Sequence, residues 1–241
     1  MTLKQAGRLR MTHCSDIHIE GDHYSEEHYK DGFVRVLKVA VANESDLIVL
    51  PGDLFDTNRT RGETIEWTMS QLADQPLPVV MIPGNHDCLQ PGGVFERYDF
   101  DQIPNVDMLT ANEGELRMLD SLELAVWGKG MVEHCAEYFP IGDIPERPAG
   151  ARWYLGMGHG IYVPDKRDTD RSSPVYEHQI AASPCDYIAL GHHHAALEVH
   201  AGDTAAAYCG SPTDTIGAGA TYATVDLFED APPAVEICLL D

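Results

Sequence analysis

The chain has 241 residues, of which 44% are hydrophobic, and its 39 acidic against 16 basic residues give a formal net charge of −23. This length and apolar content are enough for one large domain with a sizeable core. The acidic excess disfavours a general affinity for polyanions, and the apolar runs are too short to span a membrane. The first ten residues lack the apolar run of a signal peptide, so we expect a cytoplasmic protein without a membrane partner.

Six cysteines are spread along the chain without a C-x-x-C pair. This spacing favours reduced cysteines in the core or in loops over a disulfide framework or a zinc ribbon.

The first ninety residues alternate between predicted strands and helices. Short apolar runs that end in turn residues predict strands at residues 9–14, in DLIVLPGD and in LPVVMIPGNHD. Apolar spacing predicts one helix over residues 25–42, capped by Ser25, and another over residues 64–73. This β-α-β-α-β order predicts a parallel sheet.

The second half has closely spaced apolar runs with few helical candidates between them. The runs are LELAVWG, RWYLGMGHG, DYIALGHHH, AAAYCGSP, TYATVDLF and AVEICLL, and the clearest helical candidate covers residues 175–182. We therefore predict a second, partly antiparallel sheet stacked on the first. Residues 141–150 and 162–174 are rich in proline and charge and are expected to form surface loops.

Five segments share one format, in which an apolar strand ends in a glycine or polar turn that carries Asp, Asn or His. The segments are THCSDIH, VLPGDLFD, MIPGNHD, GMGHG and LGHHH. Ligands of parallel α/β sheets bind beyond the carboxyl ends of the strands, so these side chains can converge. Each motif alone is common, and a lone histidine is more often structural than a metal ligand. The shared position of all five favours a single site.

The spacing within the motifs indicates which side chains face the site. Residues two apart in an extended segment point to the same side, which pairs Asp16 with His18 and His192 with His194, while His193 points away. Carboxylates, an amide and imidazoles suit divalent manganese, iron, cobalt, nickel or zinc better than calcium or magnesium. The full donor set exceeds the tetrahedral shell of one ion and suits two ions bridged by a shared carboxylate.

The ordered set D-x-H, G-D-x-x-D, G-N-H-D, H and G-H-x-H, from Asp16 to His194, resembles the calcineurin-like metallophosphoesterase superfamily. The resemblance implies an α/β fold, a four-layer αββα sandwich of two stacked mixed β-sheets flanked by helices. It implies a single metallophosphoesterase domain over residues 1–241. The 47 residues after His194 are expected to finish the second sheet and to leave no room for a capping domain.

The resemblance also implies two divalent metal ions, manganese foremost, with iron, zinc, cobalt or nickel as alternatives. By motif position, one ion is assigned to Asp16, His18, Asp53 and His194, and the second to Asp53, Asn85, His159 and His192. His86 resembles the catalytic histidine of the family, which does not bind metal. It would donate a hydrogen bond to a phosphate oxygen or protonate the leaving alkoxide, and Asp56 or Asp87 is a candidate to orient it.

The segments GDLFDT, GNHD and YCGSP resemble the SbcD-type DNA-repair exonuclease branch most closely, which implies hydrolysis of phosphodiester bonds. Arg59, Arg61 and His23 are candidates for substrate contacts, and Lys129, Lys166, Arg167 and Arg171 are the other basic residues that could follow a DNA backbone. The acidic composition disfavours nucleic acid as a partner, because backbone binding needs many basic contacts on one face. Two divalent ions would still make the pocket itself attractive to a phosphate ester.

Two further interpretations stay open. The acidic surface and the missing cap favour a phosphatase or a cyclic-nucleotide or nucleotide phosphodiesterase for small molecules. A non-catalytic scaffold that binds an unknown protein partner is disfavoured, because the full donor set and His86 are retained. Trp127 and Trp153 are expected in the core, and no role is assigned to His13, His28, His134, His178 or His200.

Overall fold

A computed structural model of the chain describes residues 7–164 and 170–240. Its strands are β1 (Arg8–His13), β2 (Leu47–Pro51), β3 (Val79–Ile82), β4 (Val106–Met108), β5 (Glu115–Leu119), β6 (Leu124–Gly128), β7 (Trp153–His159), β8 (Ile161–Val163), β9 (Pro174–Tyr176), β10 (Tyr187–Gly191), β11 (Leu197–Ala201), β12 (Thr204–Tyr208), β13 (Thr221–Phe228) and β14 (Ala234–Leu239). Its α-helices are α1 (Glu26–Ala42), α2 (Gly62–Ala73), α3 (Val94–Arg97) and α4 (Glu177–Ala181). Short 3₁₀ helices cover Phe100–Gln102 and Asp120–Leu122.

Two mixed six-stranded sheets form the centre of the fold. The first has the order β14-β13-β1-β2-β3-β4 and the second the order β11-β12-β10-β7-β6-β5. Strands β1 to β4 run parallel, whereas β13 is antiparallel to both β1 and β14. In the second sheet β12, β10, β7 and β6 run parallel, and the edge strands β11 and β5 are antiparallel. The predicted α/β architecture of two mixed sheets with flanking helices is confirmed.

The predicted elements of the first ninety residues are present. The Ser25 hydroxyl accepts a hydrogen bond from the backbone N–H of His28 (3.3 Å), so it caps α1 as its position predicts. Strand β2 is buried over its whole length, as a continuous apolar run inside a parallel sheet should be. Its alternate residues face two different cores, with Leu47 between the sheets and Ile48 under the helices. Strand β2 is therefore held on both faces up to Pro51, where its turn begins.

Three apolar layers hold the sandwich together. One lies between the sheets, and a second joins the outer face of the first sheet to α1 and α2. The third covers the outer face of the second sheet and includes Ile180 of α4 together with Ile141, from the segment that joins β6 to β7. The two tryptophans expected in the core, Trp127 and Trp153, are buried, and the six cysteines are free thiols.

The expectation that the 47 residues after His194 finish the second sheet is wrong for the last two strands. The segments TYATVDLF and AVEICLL form β13 and β14, and β13 returns to pair with β1 in the first sheet. Strands β11 and β12, which also follow His194, do finish the second sheet, so that part of the expectation is confirmed. Apolar periodicity marks a strand but does not choose its partner, which is why the segment was assigned to the wrong sheet.

Smaller differences concern short elements. Strands β4, β5 and β11 were not predicted, and the predicted helix at 175–182 is divided between β9 and α4. Residues 141–150 are a loop as expected, while β8 and β9 occupy the two ends of the other predicted loop and its residues 165–169 lie outside the described chain. Within the described ranges, none of the helices combines the length and apolar character needed to cross a membrane.

Candidate metal centre

All five predicted motifs meet at one edge of the sandwich. They follow the carboxyl ends of β1, β2 and β3 in the first sheet and of β7 and β10 in the second. The structure brings together every donor predicted from the sequence, namely Asp16, His18, Asp53, Asn85, His159, His192 and His194. The edge where parallel strands end is where α/β proteins bind ligands.

One group of donors lies between β1 and β10. The Nε2 atoms of His18 and His194 are 3.1 Å apart, and His194 Nε2 lies 3.8 Å from Oδ1 of Asp16. The Asp16 carboxylate also accepts a hydrogen bond from the His192 backbone N–H (3.0 Å) and another from the Ser15 hydroxyl (2.5 Å). These bonds fix the carboxylate beside the two rings.

A second group lies between β2, β3 and β7. His159 Nε2 is 3.0 Å from Oδ1 of Asn85 and 3.2 Å from Oδ2 of Asp53. His192 approaches the same Asn85 oxygen through Nδ1, at 2.8 Å. The same Asp53 oxygen is 3.7 Å from Nε2 of His18, so Asp53 lies between the two groups. A carboxylate shared in this way is what a pair of bridged ions requires.

The chemistry of His159 shows that this edge fits a cation. Its Nδ1 lies 2.8 Å from the carbonyl oxygen of Pro51, and because a carbonyl only accepts, Nδ1 carries the proton. When the ring is neutral, its Nε2 lone pair therefore points at the oxygens of Asp53 and Asn85. Acceptors that face one another need a proton or a metal ion between them. These residues fit divalent metal ions, in agreement with the imidazole and carboxylate composition of the site.

The pKa shifts reflect the same crowding of charges. Burial lowers the pKa of His159, but the Asp53 carboxylate outweighs it and raises that pKa to about 9. Burial raises the pKa of Asp53, but His159 and His18 outweigh it and hold that pKa well below its usual range. Burial and then repulsion from His159 lower the pKa of His192 to about 3. Asp53 therefore stays ionised and His192 stays neutral at physiological pH, as metal ligands must be.

The backbone is strained where it presents these groups. Four of the seven donors have a positive φ, at 55° for Asp16, 53° for His18, 53° for Asp53 and 96° for His192. Left-handed backbone is unfavourable for residues other than glycine, although Asp, Asn and His tolerate it best. Such outliers concentrate at functional sites, where the surrounding structure holds them in place.

Two glycines allow the turns to pack closely. A Cβ at Gly84 would lie 2.2 Å from Oδ1 of Asp53, and one at Gly191 would lie 2.0 Å from the carbonyl oxygen of Pro51. Neither distance is compatible with a side chain. The glycines in GNHD and LGHHH therefore let the strand ends approach each other, which explains their place beside the polar residues.

Asp56 and Thr215 orient two of the imidazoles. The Asp56 carboxylate accepts a hydrogen bond from Nδ1 of His18 (3.0 Å), so Nε2 of that ring faces His194 and Asp53. His18 lowers the pKa of Asp56, so this carboxylate stays ionised. The hydroxyl of Thr215 lies 2.5 Å from Nδ1 of His194. Thr215 was missed in the sequence, because only the tertiary fold brings its loop to β10.

His86 lies beside the first group of donors. Its ring packs edge-on against His18, with centroids 4.6 Å apart, and its Nδ1 donates to the backbone carbonyl of Asp56 (2.8 Å). Of the two residues expected to orient His86, Asp56 is the one that contacts its ring, and its main-chain carbonyl is closer than its carboxylate. The Asp87 carboxylate is directed instead at the backbone N–H groups of Gly84 and Phe55 (2.7 and 3.1 Å). Asp87 shapes the GNHD loop and is not placed to orient His86.

The basic residues considered as substrate contacts differ in their surroundings. Arg61 forms ion pairs with Glu20, Glu26 and Glu63, so its charge is neutralised by the protein. Arg59 and His23 are exposed on the loops that follow Asp56 and His18. Lys129 is buried near the Trp127 ring, and Lys166 and Arg167 lie outside the described residues.

The curated proteins that are similar to this chain include a DNA-repair protein and a metallophosphoesterase. It is 30% identical over 87 residues to the DNA double-strand break repair protein Mre11 of Archaeoglobus fulgidus, a match that covers 33% of this chain and 19% of that protein. It is 25% identical over 224 residues to the uncharacterized metallophosphoesterase YhaO of Bacillus subtilis, a match that covers 84% of this chain and 53% of that protein. The chain thus spans about half or less of the length of these relatives.

Comparison of structures supports the fold. A crystal structure of TT1561 from Thermus thermophilus superposes with a TM-score of 0.63 at 13% identity, covering 97% of this chain and 99% of the other. The model of the calcineurin-like phosphoesterase family matches residues 9–213, which include every donor described above. The chain therefore belongs to the calcineurin-like phosphoesterase family.

Proposed function

We propose that the chain is a metal-dependent hydrolase that cleaves phosphodiester bonds at a centre of two divalent ions. The observation that carries the proposal is the convergence of two imidazole nitrogens on Asp53, where Nε2 of His159 and Nε2 of His18 approach the same carboxylate oxygen at 3.2 and 3.7 Å. Membership of a phosphoesterase family supports the reaction class.

Each ion would be held by four side chains, with manganese as the proposed metal. One set is Asp16, His18, Asp53 and His194, and the other is Asp53, Asn85, His159 and His192. Two divalent ions held by these residues would supply Lewis-acid stabilisation of the phosphoryl group and would activate water near neutral pH. The protein keeps the donors in place through Asp56, Thr215 and the Pro51 carbonyl.

His86 is the proposed catalytic residue. Because its Nδ1 proton is engaged by the Asp56 carbonyl, Nε2 carries a proton only when the ring is charged. The Asp56 carboxylate lies 3.7 Å from the same Nδ1. The imidazolium can then donate from Nε2 to a phosphate oxygen or protonate the leaving alkoxide. His86 is exposed, so a bound ester can reach it.

Nucleic-acid ends are the first proposed substrate, which the similarity to Mre11 supports. Small phosphate esters are the second candidate, and the engagement of Arg61 by Glu20, Glu26 and Glu63 favours them. The positive charge of an arginine that is paired with three carboxylates attracts a DNA backbone only weakly.

A substrate panel tests the proposal and separates the two candidates. We would measure turnover of single-stranded DNA, a cyclic nucleotide, bis-p-nitrophenyl phosphate and p-nitrophenyl phosphate by the protein loaded with manganese, with EDTA as the control. Hydrolysis of the diesters that EDTA abolishes is expected. His86→Ala should remove turnover and leave the metal content unchanged. A protein that binds manganese and hydrolyses none of these esters would support the scaffold interpretation and refute the proposal.

A further inference from the structure

His134 lies beside the proposed metal centre on the segment that joins β6 to β7. Its side chain is exposed, and its ring lies against that of His192, with centroids 5.2 Å apart at an angle of 43°. Burial and then repulsion from His159 lower its pKa, whereas Asp53 raises it, so the ring is within electrostatic range of both buried groups. No role was assigned to this histidine from the sequence.

The orientation of His134 is fixed by one ring nitrogen. Its Nδ1 forms a hydrogen bond of 2.8 Å with the hydroxyl of Ser173. Ser173 is fully buried, and its backbone N–H donates to the carbonyl of Cys135 (2.8 Å) while its own carbonyl accepts from Ile161 (3.0 Å). A Cβ at Gly160, the residue after His159, would lie 2.1 Å from the Ser173 carbonyl oxygen. The backbone of Ser173 is therefore packed directly against the end of β7.

His134 and His86 are arranged in the same way on opposite groups of donors. His86 packs against His18 and is held through Nδ1 by the Asp56 carbonyl at 2.8 Å. His134 packs against His192 and is held through Nδ1 by Ser173. Both rings are exposed and both have Nε2 left to meet a ligand. The centre is therefore flanked by one anchored imidazole beside each set of donors.

We propose that His134 is a second substrate-binding imidazole, which contacts the phosphoryl group of the bound ester through Nε2 from the His192 side. The proposal rests on the proposed phosphoesterase function. A phosphodiester carries two non-bridging oxygens, and anchored groups on both sides would hold it between the donor sets. Ser173 is the positioning residue, because it acts only through the His134 ring.

The test compares His134→Ala, His134→Gln and Ser173→Ala with the unchanged protein. The matched control is His178→Ala. His178 is another exposed histidine; it lies in α4, and its ring stacks on that of Tyr176. We would measure kcat and KM on bis-p-nitrophenyl phosphate with manganese, together with metal content and melting temperature. Losing a hydrogen bond to a charged group should lower kcat/KM of His134→Ala by about ten- to a hundredfold.

Several results distinguish substrate binding from support of the fold. Metal content and melting temperature should stay unchanged in His134→Ala. His134→Gln should recover part of the lost kcat/KM. The control His178→Ala should have the same kcat/KM as the unchanged protein. A His134→Ala variant within twofold of the unchanged kcat/KM, or one that loses its manganese, overturns the proposal.

Binding of inorganic phosphate to the manganese-loaded protein, measured by calorimetry, provides a second readout that needs no turnover. Weaker phosphate binding by His134→Ala supports the proposal even if the unchanged protein hydrolyses none of the panel, in which case the proposed function alone fails. Equal phosphate binding by His134→Ala and the unchanged protein overturns the proposal for His134. Absence of both turnover and phosphate binding in the unchanged protein overturns both proposals.

Discussion

Replacing Gly84 by alanine should disable the centre by displacing Asp53. The new Cβ would lie 2.2 Å from Oδ1 and 2.5 Å from the backbone nitrogen of Asp53, whereas ordinary van der Waals contact begins at 3.4 Å. Asp53 must therefore move by about 1 Å, and a misplacement of that size at a reacting centre can cost about a hundredfold in rate. Because Asp53 lies between both sets of donors, we expect Gly84→Ala to lose at least that factor in kcat on bis-p-nitrophenyl phosphate, together with part of its manganese.

Gly92→Ala is the control for a general effect of removing glycine from this loop. Gly92 has a φ of 75°, and a Cβ there would meet nothing within 4 Å. The left-handed backbone should cost about 1 kcal/mol of stability, while kcat and metal content stay unchanged. If Gly84→Ala keeps the full turnover and metal content of the unchanged protein, Asp53 is not the shared ligand and the reasoning fails.

Three other predictions concern groups behind the donors. Asp56→Asn weakens the hydrogen bond that orients His18, and we expect manganese affinity or kcat to fall by about ten- to a hundredfold, measured by titration of the metal-free protein. Thr215→Val removes the partner of His194 Nδ1 and should lower manganese affinity in the same range, whereas equal affinity would show that the packing of the loop alone orients the ring. Burial lowers the pKa of His13 to about 3, against about 6.5 in an unfolded chain, so its contribution to stability is complete above pH 6.5 and is lost as the pH falls towards 3. Urea denaturation should therefore show the unchanged protein losing about 2 kcal/mol more than His13→Gln between pH 6.5 and pH 5, and parallel pH profiles would contradict this assignment.

The sequence predicts the location of the site because of a general property of parallel sheets. A polar residue directly after a buried strand, such as Asp53 after β2 or His159 as the last residue of β7, must lie at the carboxyl edge of its sheet. Strand ends are marked by local signals, here the glycine turns of PGD and GNHD. The convergence of these seven side chains at one edge could therefore be predicted before their contacts were known.

The supporting contacts could not be predicted because they depend on the approach of distant segments. Thr215 reaches His194 from a loop whose position is set by the return of β13 to β1, and that pairing joins residues more than two hundred positions apart. Ser173 and His134 are 39 residues apart, and neither lies in a segment predicted as a strand or a helix. Periodicity describes each element alone, so contacts between elements of this kind are available only from the folded structure.

We propose that seven side chains from the two sheets hold a pair of neighbouring divalent ions. Anomalous scattering from a crystal of the manganese-loaded protein measures this directly. We predict two peaks about 3.5 to 4 Å apart, with the Asp53 carboxylate between them. A map with a single peak, or with no peak at this edge of the sandwich, would contradict the claim.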